Sequence, residues 1–312
     1  MRDHAGLFGF LVFLGTGWGL TQALSKIAVS TGHGALGLIF WQAAIGTALL
    51  GAIVLVRRAK PVVTGRGAVL VVAVAFLGTI VPSTLSYAAY VHLPAGIMSI
   101  IISAVPLLSF PIAMALGVDR FSALRLAGLL CGFVGVALIA APGSALPDAS
   151  ARFWLMIALV SPLCYAFEGN VVAKWGTGGL DPVAMMFAAS AVATVVCLPL
   201  ALATGQFISP LRSYGAPEYA LILSSGIHAL MYAGYVWLVG RAGSVFAAQT
   251  GYLVTGAGVL WAMTLLGERF PPPVWLALAV MFALYARDAQ GKSAKGQLID
   301  LALYEAPFRI TA

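Results

Sequence analysis

SVFAAQTGYLVTGAGVLWAMTLLGERF, residues 244–270, is an apolar stretch that ends in a short charged motif. It has no Lys, Arg, Asp or Glu before Glu268, and a helix of this length crosses the roughly 30 Å hydrocarbon core of a bilayer. An earlier stretch, AGIMSIIISAVPLLSFPIAMALGVDRF at residues 95–121, has the same organisation, and each ends on Leu-Gly, an acidic residue, Arg and Phe. Leu116 and Leu266 lie 150 positions apart, which indicates an internal duplication of the chain.

The composition is that of a chain that lies mostly in a membrane. Of its 312 residues, 61% are hydrophobic and only 9% are charged, whereas a soluble domain carries about 25% charged residues. The chain has a net charge of +7, but its sequence shows no basic patch interleaved with aromatic residues. Nucleic acid is therefore not predicted as a partner. The first apolar run is followed by many similar ones, and we interpret it as a retained helix and not as a cleaved signal peptide.

Breaks that contain charged residues, Pro or Gly divide the chain into ten predicted membrane spans. The first five are residues 6–29, 35–56, 67–91, 95–117 and 123–141, and the second five are residues 153–174, 182–204, 218–239, 244–267 and 272–286. We predict an all-α integral membrane fold of ten transmembrane helices in two inverted five-helix repeats, at residues 1–145 and 146–286. Residues 287–312 are predicted to form a cytoplasmic tail.

The distribution of Lys and Arg predicts the orientation. With the N-terminus in the cytoplasm, nine of these residues fall on the inner side and four on the outer side before the tail is counted. The positive-inside rule therefore predicts a multi-pass protein of the cell inner membrane with both termini in the cytoplasm. Five spans per repeat is an odd number, so the second repeat enters the membrane from the opposite side. Inverted repeats around a midplane site are typical of secondary transporters.

The motifs that end the fourth and ninth spans, at residues 116–121 and 266–270, resemble the LGER-type signature that closes the fourth helix of each EamA repeat. Four further residues fit the same pattern at matching places of the two repeats: Trp18, Lys26, Tyr165 and Lys174. Over about residues 6–280 the chain resembles the drug/metabolite transporter superfamily. The resemblance implies a ten-helix exporter or exchanger of small metabolites, with a central cavity lined by both halves.

The chain departs from that pattern at three places. Asp119 stands where Glu is usual, Gln42 stands where many members have Arg, and Pro271, Pro272 and Pro273 leave only about 14 residues for the last span. From Ala283 onward the sequence resembles a fragment, shorter than 30 residues, of a class III CoA-transferase of the CaiB/BaiF type. A fragment of that size cannot form the enzyme's fold, so we interpret the tail as a recombined segment. An ordinary charged tail with an amphipathic helix is the alternative.

Polar residues inside the spans mark the candidate site, because a polar side chain in hydrocarbon is costly and usually faces the bundle interior. Glu168 in the sixth span is the chief candidate, either as a proton carrier or as the ligand of a cationic substrate group. Its alternative role is a structural pair, with Lys174 or with another helix. His228 is a candidate because histidine changes its charge near neutral pH, and hydrogen-bonded packing is its alternative role.

Aromatic and amide side chains complete the predicted substrate site, since they can grip an amphipathic or aromatic metabolite. The whole predicted set is Trp18, Gln22, Tyr87, Tyr165, Glu168, His228, Gln249 and Tyr252. Interhelical packing or contact with lipid is the alternative for each aromatic or amide residue. Lys26 and Lys174 can bind an anionic substrate group or latch a gate to Glu268 and Asp119, and snorkelling to the headgroups is their alternative.

No catalytic residue, cofactor or metal site is predicted. The sequence has no phosphate-binding GxxxxGK[ST] motif and no paired Cys and His set, so ATP-driven transport and metal chemistry are not expected. We interpret Cys131, Cys164 and Cys197 as small packing residues.

We therefore predict a secondary transporter and not an enzyme. It moves a small organic metabolite, an amino acid or a similar compound that includes aromatic ones, across the inner membrane by alternating access, in the direction of export. Glu168 as a proton carrier would supply proton coupling, although the sequence does not name the coupling ion, and a monomer or a homodimer in the bilayer is the expected state. Three alternatives remain: a non-transporting membrane sensor or scaffold, a lipid-modifying membrane enzyme with Glu168 and His228 as its acid and base, and a transporter that is inactive because its tenth helix is truncated.

Overall fold

The structure, a computed structural model, describes residues 2–58, 65–117, 150–242, 250–272, 274–276 and 278–279. These residues include eight helices with defined bounds and no strand, and residues 272, 274–276 and 278–279 are helical as well. The helices are α1 (Arg2–Ala28), α2 (Ala35–Val56), α3 (Gly65–His92), α4 (Ala95–Ala115), α5 (Ala151–Trp175), α6 (Pro182–Ala203), α7 (Ala216–Ala242) and α8 (Thr250–Leu266). In six of them, α1 to α6, the structure has a segment long and apolar enough to cross a membrane, and this confirms the all-α membrane fold.

The observed bounds agree with eight of the predicted spans to within a few residues. The predicted fifth span at 123–141, the tail after 287 and most of the tenth span at 272–286 lie outside the described residues. The resemblance of the tail to a CoA-transferase fragment therefore stays a prediction.

Two helices that the sequence predicts as continuous are interrupted. In α3 the six residues Ala75–Ile80 form a π-helical turn between the α-helical segments Gly65–Val74 and Val81–His92. In α4 the segments Ala95–Ile102 and Ala104–Ala115 meet at a turn on Ser103. Pro106 lacks the N–H that would bond to the carbonyl of Ile102, which is the physical reason for a break at this point.

The two Leu-Gly pairs of the repeated motif end their helices in the same way. Gly117 follows α4 with a φ of +68°, and Gly267 follows α8 with a φ of +66°. Glycine adopts this left-handed conformation readily and is common directly after a helix for that reason. Gly176 after α5 and Gly205 after α6 have positive φ as well, so this helix ending is common in the chain.

Corresponding helices of the two halves run in opposite directions where they touch. The hydroxyl oxygens of Thr47 in α2 and Thr194 in α6 lie 3.2 Å apart. Further along α2, a Cβ on Gly51 would lie 2.9 Å from the ring of Phe187, which comes earlier in α6. These two contacts make α2 and α6 antiparallel.

The second pair of corresponding helices, α4 and α8, is also antiparallel. The carboxylate of Glu268, just after α8, accepts a hydrogen bond of 2.7 Å from the backbone N–H of Ala95 at the start of α4. One turn into α4, the carbonyl of Ser99 accepts a 3.1 Å bond from the hydroxyl of Thr255, which lies in the first half of α8. Opposite directions of corresponding helices are what an inverted repeat requires.

Parallel contacts complete this arrangement. Helices α1 and α8 run side by side, with Gly15 against Leu253 and Gly19 against Ala257. The corresponding helices α5 and α4 are parallel as well: Asn170 donates to the carbonyl of Ser109 (3.2 Å), and Lys174 donates to the carbonyl of Leu116 (2.8 Å).

The helix directions define two ends of the bundle. The Glu268 end holds the ends of α1, α3, α6 and α8 and the starts of α2, α4, α5 and α7, and the Arg57 end is opposite. The stacked rings of His92 and Trp154, 4.2 Å apart, place the start of α5 beside the end of α3. Ala115 and Ala151 consequently lie at opposite ends of the bundle.

Single cysteines in a background without Cys131, Cys164 and Cys197 test this topology and the predicted orientation together. Arg57 and Ser213 are both exposed, at opposite ends. We expect an impermeant thiol reagent to label Ser213→Cys in intact cells and Arg57→Cys only after permeabilisation. The reverse pattern would invert the orientation, and labelling of both sites from one side would contradict the helix directions.

Candidate substrate site

Glu168 lies inside the bundle, where α5 passes between α3 and α7. Its side chain is only 6% exposed. The hydroxyl of Tyr232 in α7 donates a 2.9 Å hydrogen bond to its Oε1 atom. The described part of the chain offers Glu168 no Lys or Arg partner. The predicted pair with Lys174 is not formed, because that ammonium group donates to Leu116 at the Arg57 end.

The π-helical turn of α3 faces this carboxyl group. A Cβ on Gly78, in the middle of the turn, would lie 2.6 Å from Glu168 Oε1 and 2.7 Å from its Oε2. Only a residue without a side chain leaves room for the carboxyl group at this distance. Short π turns within α-helices are frequent at functional sites, which makes the pairing of Gly78 with Glu168 notable.

Replacement of Gly78 by Ala is expected to lower the stability of the purified protein, because a methyl group would overlap the carboxyl group of Glu168. Overpacking of this kind costs about 1–3 kcal/mol. Gly169→Ala is the matched control, since Gly169 is the next residue after Glu168 and a Cβ there meets nothing within 4 Å. Thermal unfolding in detergent measures both variants. Equal midpoints for the two would show that Gly78 can accept a side chain without cost.

Aromatic rings from α1 and α7 lie beside the Glu168–Tyr232 pair. The ring of Trp18 is 5.8 Å from Tyr232, 5.5 Å from Tyr235 and 6.1 Å from His228, centroid to centroid. Gly17 permits this approach of α1 to α7, because a Cβ there would lie 2.5 Å from the sulfur of Met231. Trp18 Nε1 is buried and has no hydrogen-bond partner among the described residues.

Tyr165 joins α5 to α3 one turn before Glu168. Its hydroxyl lies near enough to Ser83 of α3 and to Glu168 to interact with both electrostatically. One turn earlier, Ser161 accepts a 3.0 Å bond from Ser86 and donates a 2.9 Å bond to the carbonyl of Pro82. Ser161, Tyr165 and Glu168 follow one another at helical spacing, and this polar face of α5 is directed at α3.

Two tyrosine–glutamine pairs connect α3 to α1 and α2. Tyr87 donates a 2.7 Å hydrogen bond to the amide oxygen of Gln42, and Tyr90 donates to the amide oxygen of Gln22. The two tyrosine rings lie 6.5 Å apart and are almost completely buried. Gln42 thus serves as the polar partner of Tyr87, at the position where the resembled superfamily often has Arg.

These contacts join most of the predicted site residues through shared neighbours. Trp18 and His228 meet Tyr232, Tyr232 binds Glu168, and Tyr165 lies near both Glu168 and Tyr87. Tyr252 is half-buried in α8, and Gln249 lies outside the described residues. That six of the predicted residues face one central cavity stays a prediction; they are Trp18, Tyr165, Glu168, His228, Gln249 and Tyr252.

Several contact residues were not in the predicted set. Tyr232 and Tyr235 follow His228 at helical spacing, which was their only signal. No feature of the sequence pointed to Gly78, because a single glycine in an apolar span does not predict a π turn. Tyr90 and Gln42 were visible as polar residues in spans, but their partners lie on other helices.

Lys26 and Glu268 hold helix ends together at the Glu268 end. The ammonium group of Lys26 donates to the carbonyls of Tyr90 and Leu93 (2.9 Å for Leu93), at the end of α3. Glu268 accepts from the N–H groups of Ala95 and Gly96 (2.7 and 3.0 Å), at the start of α4. Lys26 and Glu268 therefore do not bind each other directly. Lys26 binds carbonyls before the α3–α4 turn, and Glu268 binds N–H groups after it.

At the Glu268 end, a polar cluster of His33, Arg212 and Glu218 connects the loop after α1 to the loop before α7. Glu218 binds His33 Nε2 at 2.8 Å and lies 3.4 Å from Arg212 Nε. A cavity of about 710 Å³ opens beside it, lined by residues 32–34, 205–209, 212 and 213. Because these charged groups already bind one another, we assign the cluster a structural role.

Cys164 and Cys197 are buried free thiols, as their interpretation as packing residues requires, and Cys131 lies outside the described residues. Among the described residues, no group of three or more His, Cys, Asp or Glu side chains is arranged to hold a metal ion.

The fold and the site are those of a multi-pass helical membrane protein with an interior polar site between its two halves. Residues 6–141 match the EamA-like transporter family. This match, over 136 of the 312 residues, supports the resemblance to the drug/metabolite transporter superfamily. The match over these residues suggests a membrane transporter of small solutes.

Comparison with solved structures supports the same fold. One crystal structure, titled only "Crystal structure of protein", superposes with a TM-score of 0.59 at 20% identity. The match covers 88% of this chain and 95% of the other, so the likeness extends well beyond residues 6–141. At this identity the likeness concerns the fold alone. No curated protein matches the chain.

Proposed function

We propose that this protein is a secondary transporter that moves a small organic metabolite out of the cell across the inner membrane by alternating access. The observation that carries the proposal is the position of Glu168. This carboxyl group is buried between helices of both halves, bound to Tyr232 of α7 and seated against Gly78 of α3. A group at the contact of two halves can be exposed to either side of the membrane in turn when the halves rock against each other.

Proton coupling fits the same position. An ionisable residue inside a membrane protein is costly and usually marks an ion or substrate pathway. Glu168 can bind a proton from one side and release it to the other, and the hydroxyl of Tyr232 can hydrogen-bond either form of the carboxyl group. We propose the domain limits that the sequence predicts: one repeat at residues 1–145, a second repeat at residues 146–286 and a cytoplasmic tail after them.

The rival enzyme function has less support from the contacts. An acid and a base that act on one substrate must both reach it within hydrogen-bond distance. Glu168 is hydrogen-bonded to Tyr232, whereas His228 meets Tyr232 through ring contact at 6.1 Å. No hydrogen bond joins Glu168 to His228 in the part of the chain that is described.

Counterflow in proteoliposomes tests the proposal. Purified protein is reconstituted with a high internal concentration of one unlabelled compound, and uptake of the labelled compound is followed for amino acids, amines and nucleosides. We expect transient accumulation of at least one class above that in protein-free liposomes. Absence of accumulation for every class, with correctly folded protein, would favour the sensor or scaffold, and turnover of a lipid would favour the enzyme.

A further inference from the structure

We propose that the start of α3 and the end of α5 form a binding site for an anionic phospholipid at the Arg57 end of the bundle. Arg66 and Lys174 hold the phosphate group of the lipid, and one of its acyl chains lies along the exposed apolar face of α3. This site is on the lipid-facing surface of the protein, so it is independent of the interior site and of the proposed transport.

The Arg57 end carries an excess of positive charge. Asp181 is the one acid there whose side chain the structure describes, and its carboxylate already accepts bonds of 3.0 and 3.3 Å from backbone N–H groups of α6. Clusters of basic residues at a membrane surface attract anionic lipids. The five exposed Lys and Arg residues described at this end are Arg57, Arg58, Arg66, Lys174 and Arg241.

A contact between two glycines brings the chain segments of Arg66 and Lys174 together. A Cβ on Gly178, in the loop after α5, would lie 2.7 Å from the Cα of Gly67 in α3. Arg66 directly precedes Gly67, and Lys174 comes four residues before Gly178. Because both cationic side chains are long, they can reach one phosphate group from two different helices.

Both cationic groups have donors left for a phosphate. The guanidinium group of Arg66 has no hydrogen-bond or ion-pair partner among the described residues, and it can bind a phosphate through two N–H groups. The ammonium group of Lys174 donates one bond, to the carbonyl of Leu116, and has two further N–H donors. It also lies 5.3 Å from the ring centroid of Trp175. Tryptophan is enriched at the membrane–water interface, which places this pair at the depth of the headgroups.

The exposed face of α3 leads from Arg66 into the hydrocarbon region. Val69, Val72 and Phe76 follow Arg66 at helical spacing and are 69%, 44% and 40% exposed. The helix rises about 15 Å between Arg66 and Phe76, which is half of the roughly 30 Å hydrocarbon core and therefore the depth of one leaflet. Any lipid can cover this face, but only one with an anionic headgroup also neutralises the two cations at its end.

Native mass spectrometry of the delipidated protein in detergent tests the proposal. The probes are palmitoyl-oleoyl phosphatidylglycerol and the phosphatidylcholine with the same acyl chains, which differ only in the headgroup. We expect the first phosphatidylglycerol to bind at least about tenfold more tightly than phosphatidylcholine, since each basic residue beside an anionic lipid contributes about fivefold. It should also raise the thermal unfolding midpoint more, because it links α3 to α5. Equal affinities for the two lipids would overturn the site.

Replacement of Arg66 locates the lipid. Arg66→Gln should weaken the binding of phosphatidylglycerol about fivefold and leave that of phosphatidylcholine unchanged, whereas Arg66→Lys should retain most of the preference. Arg241→Gln is the matched control, because Arg241 is an exposed cation at the same end, on α7, which has no part in the contact of Gly67 with Gly178. An equal loss in Arg241→Gln would show that the lipid responds to the total charge of this end, and would overturn a site between α3 and α5.

Two further measurements complete the test. Lys174→Gln should act like Arg66→Gln, and Lys174→Arg should keep the preference. Arg66→Gln breaks no side-chain contact among the described residues, so its result decides the question even if Lys174→Gln does not fold. Glycerophosphoglycerol, the same headgroup without acyl chains, should not displace the lipid at equal concentration. Displacement would show a site for a soluble phosphate compound and would overturn the lipid as its occupant.

Discussion

Replacement of Glu168 by Gln should reduce transport by at least about tenfold and remove its dependence on pH. The change keeps the size of the side chain and its ability to accept a bond from Tyr232, which is 2.9 Å away. It removes the negative charge and the proton that the carboxyl group can bind, so neither a coupled proton nor a cationic substrate retains its partner. The initial rate of flux at a series of external pH values measures both effects.

Asp181→Asn is a matched control for that experiment. It is also an acid-to-amide change, but Asp181 caps the start of α6, where its Oδ1 accepts a 3.0 Å bond from the N–H of Val183. Asn caps helices as well as Asp does, so this variant should transport normally. If Glu168→Gln keeps the flux and the pH profile of the control, Glu168 is a packing residue and the coupling proposal fails.

The helices could be predicted from the sequence because a membrane imposes a simple rule. A spanning helix needs about 20 apolar residues, and charges interrupt it, so the ends of α1, α2 and α6 follow from composition alone. The repeated Leu-Gly motif predicted that α4 and α8 correspond, and each of these helices is followed by a glycine with positive φ. Glu168 could be predicted as a site residue because an acidic side chain in an apolar span is energetically costly and usually functional.

The partners of these residues could not be predicted in the same way. Helical spacing gives the face on which Glu168 lies, but not that Tyr232 from α7 reaches Oε1, because the crossing of α5 and α7 depends on packing along both helices. The π turn at Ala75–Ile80 has no sequence signature. The need for glycine at position 78 becomes visible only when the carboxyl group of Glu168 is placed beside it. A latch to Glu268 was one role that the sequence allowed for Lys26, but its ammonium group donates to carbonyls left free at the end of α3, while Glu268 binds N–H groups at the start of α4.

Glu268 is the residue of the repeated motif whose tertiary role the structure makes visible. Glu268 lies in the turn after α8, and its carboxylate accepts hydrogen bonds from the backbone N–H groups of Ala95 and Gly96 at the start of α4. Helix α4 belongs to the other half of the chain. Directly beside it, the ring of Phe270 packs against Gly96, where no side chain would fit. Charge-assisted bonds to a helix N-terminus are among the stronger hydrogen bonds in proteins. Together these contacts close the bundle between α4 and α8.

Loss of this contact should open the Glu268 end. Ser99, one turn below Ala95, is completely buried and lies against Gly258 of α8. In a cysteine-free background we expect Ser99→Cys to react slowly with an impermeant thiol reagent, and at least about tenfold faster when Glu268→Gln is added, since hydrogen bonds to a charged group contribute about 1.5–3 kcal/mol each. Arg269→Gln is the control, because Arg269 is the exposed neighbour and should leave the rate unchanged. Equal rates with and without Glu268→Gln would mean that apolar packing, and not this carboxylate, holds α4 and α8 together.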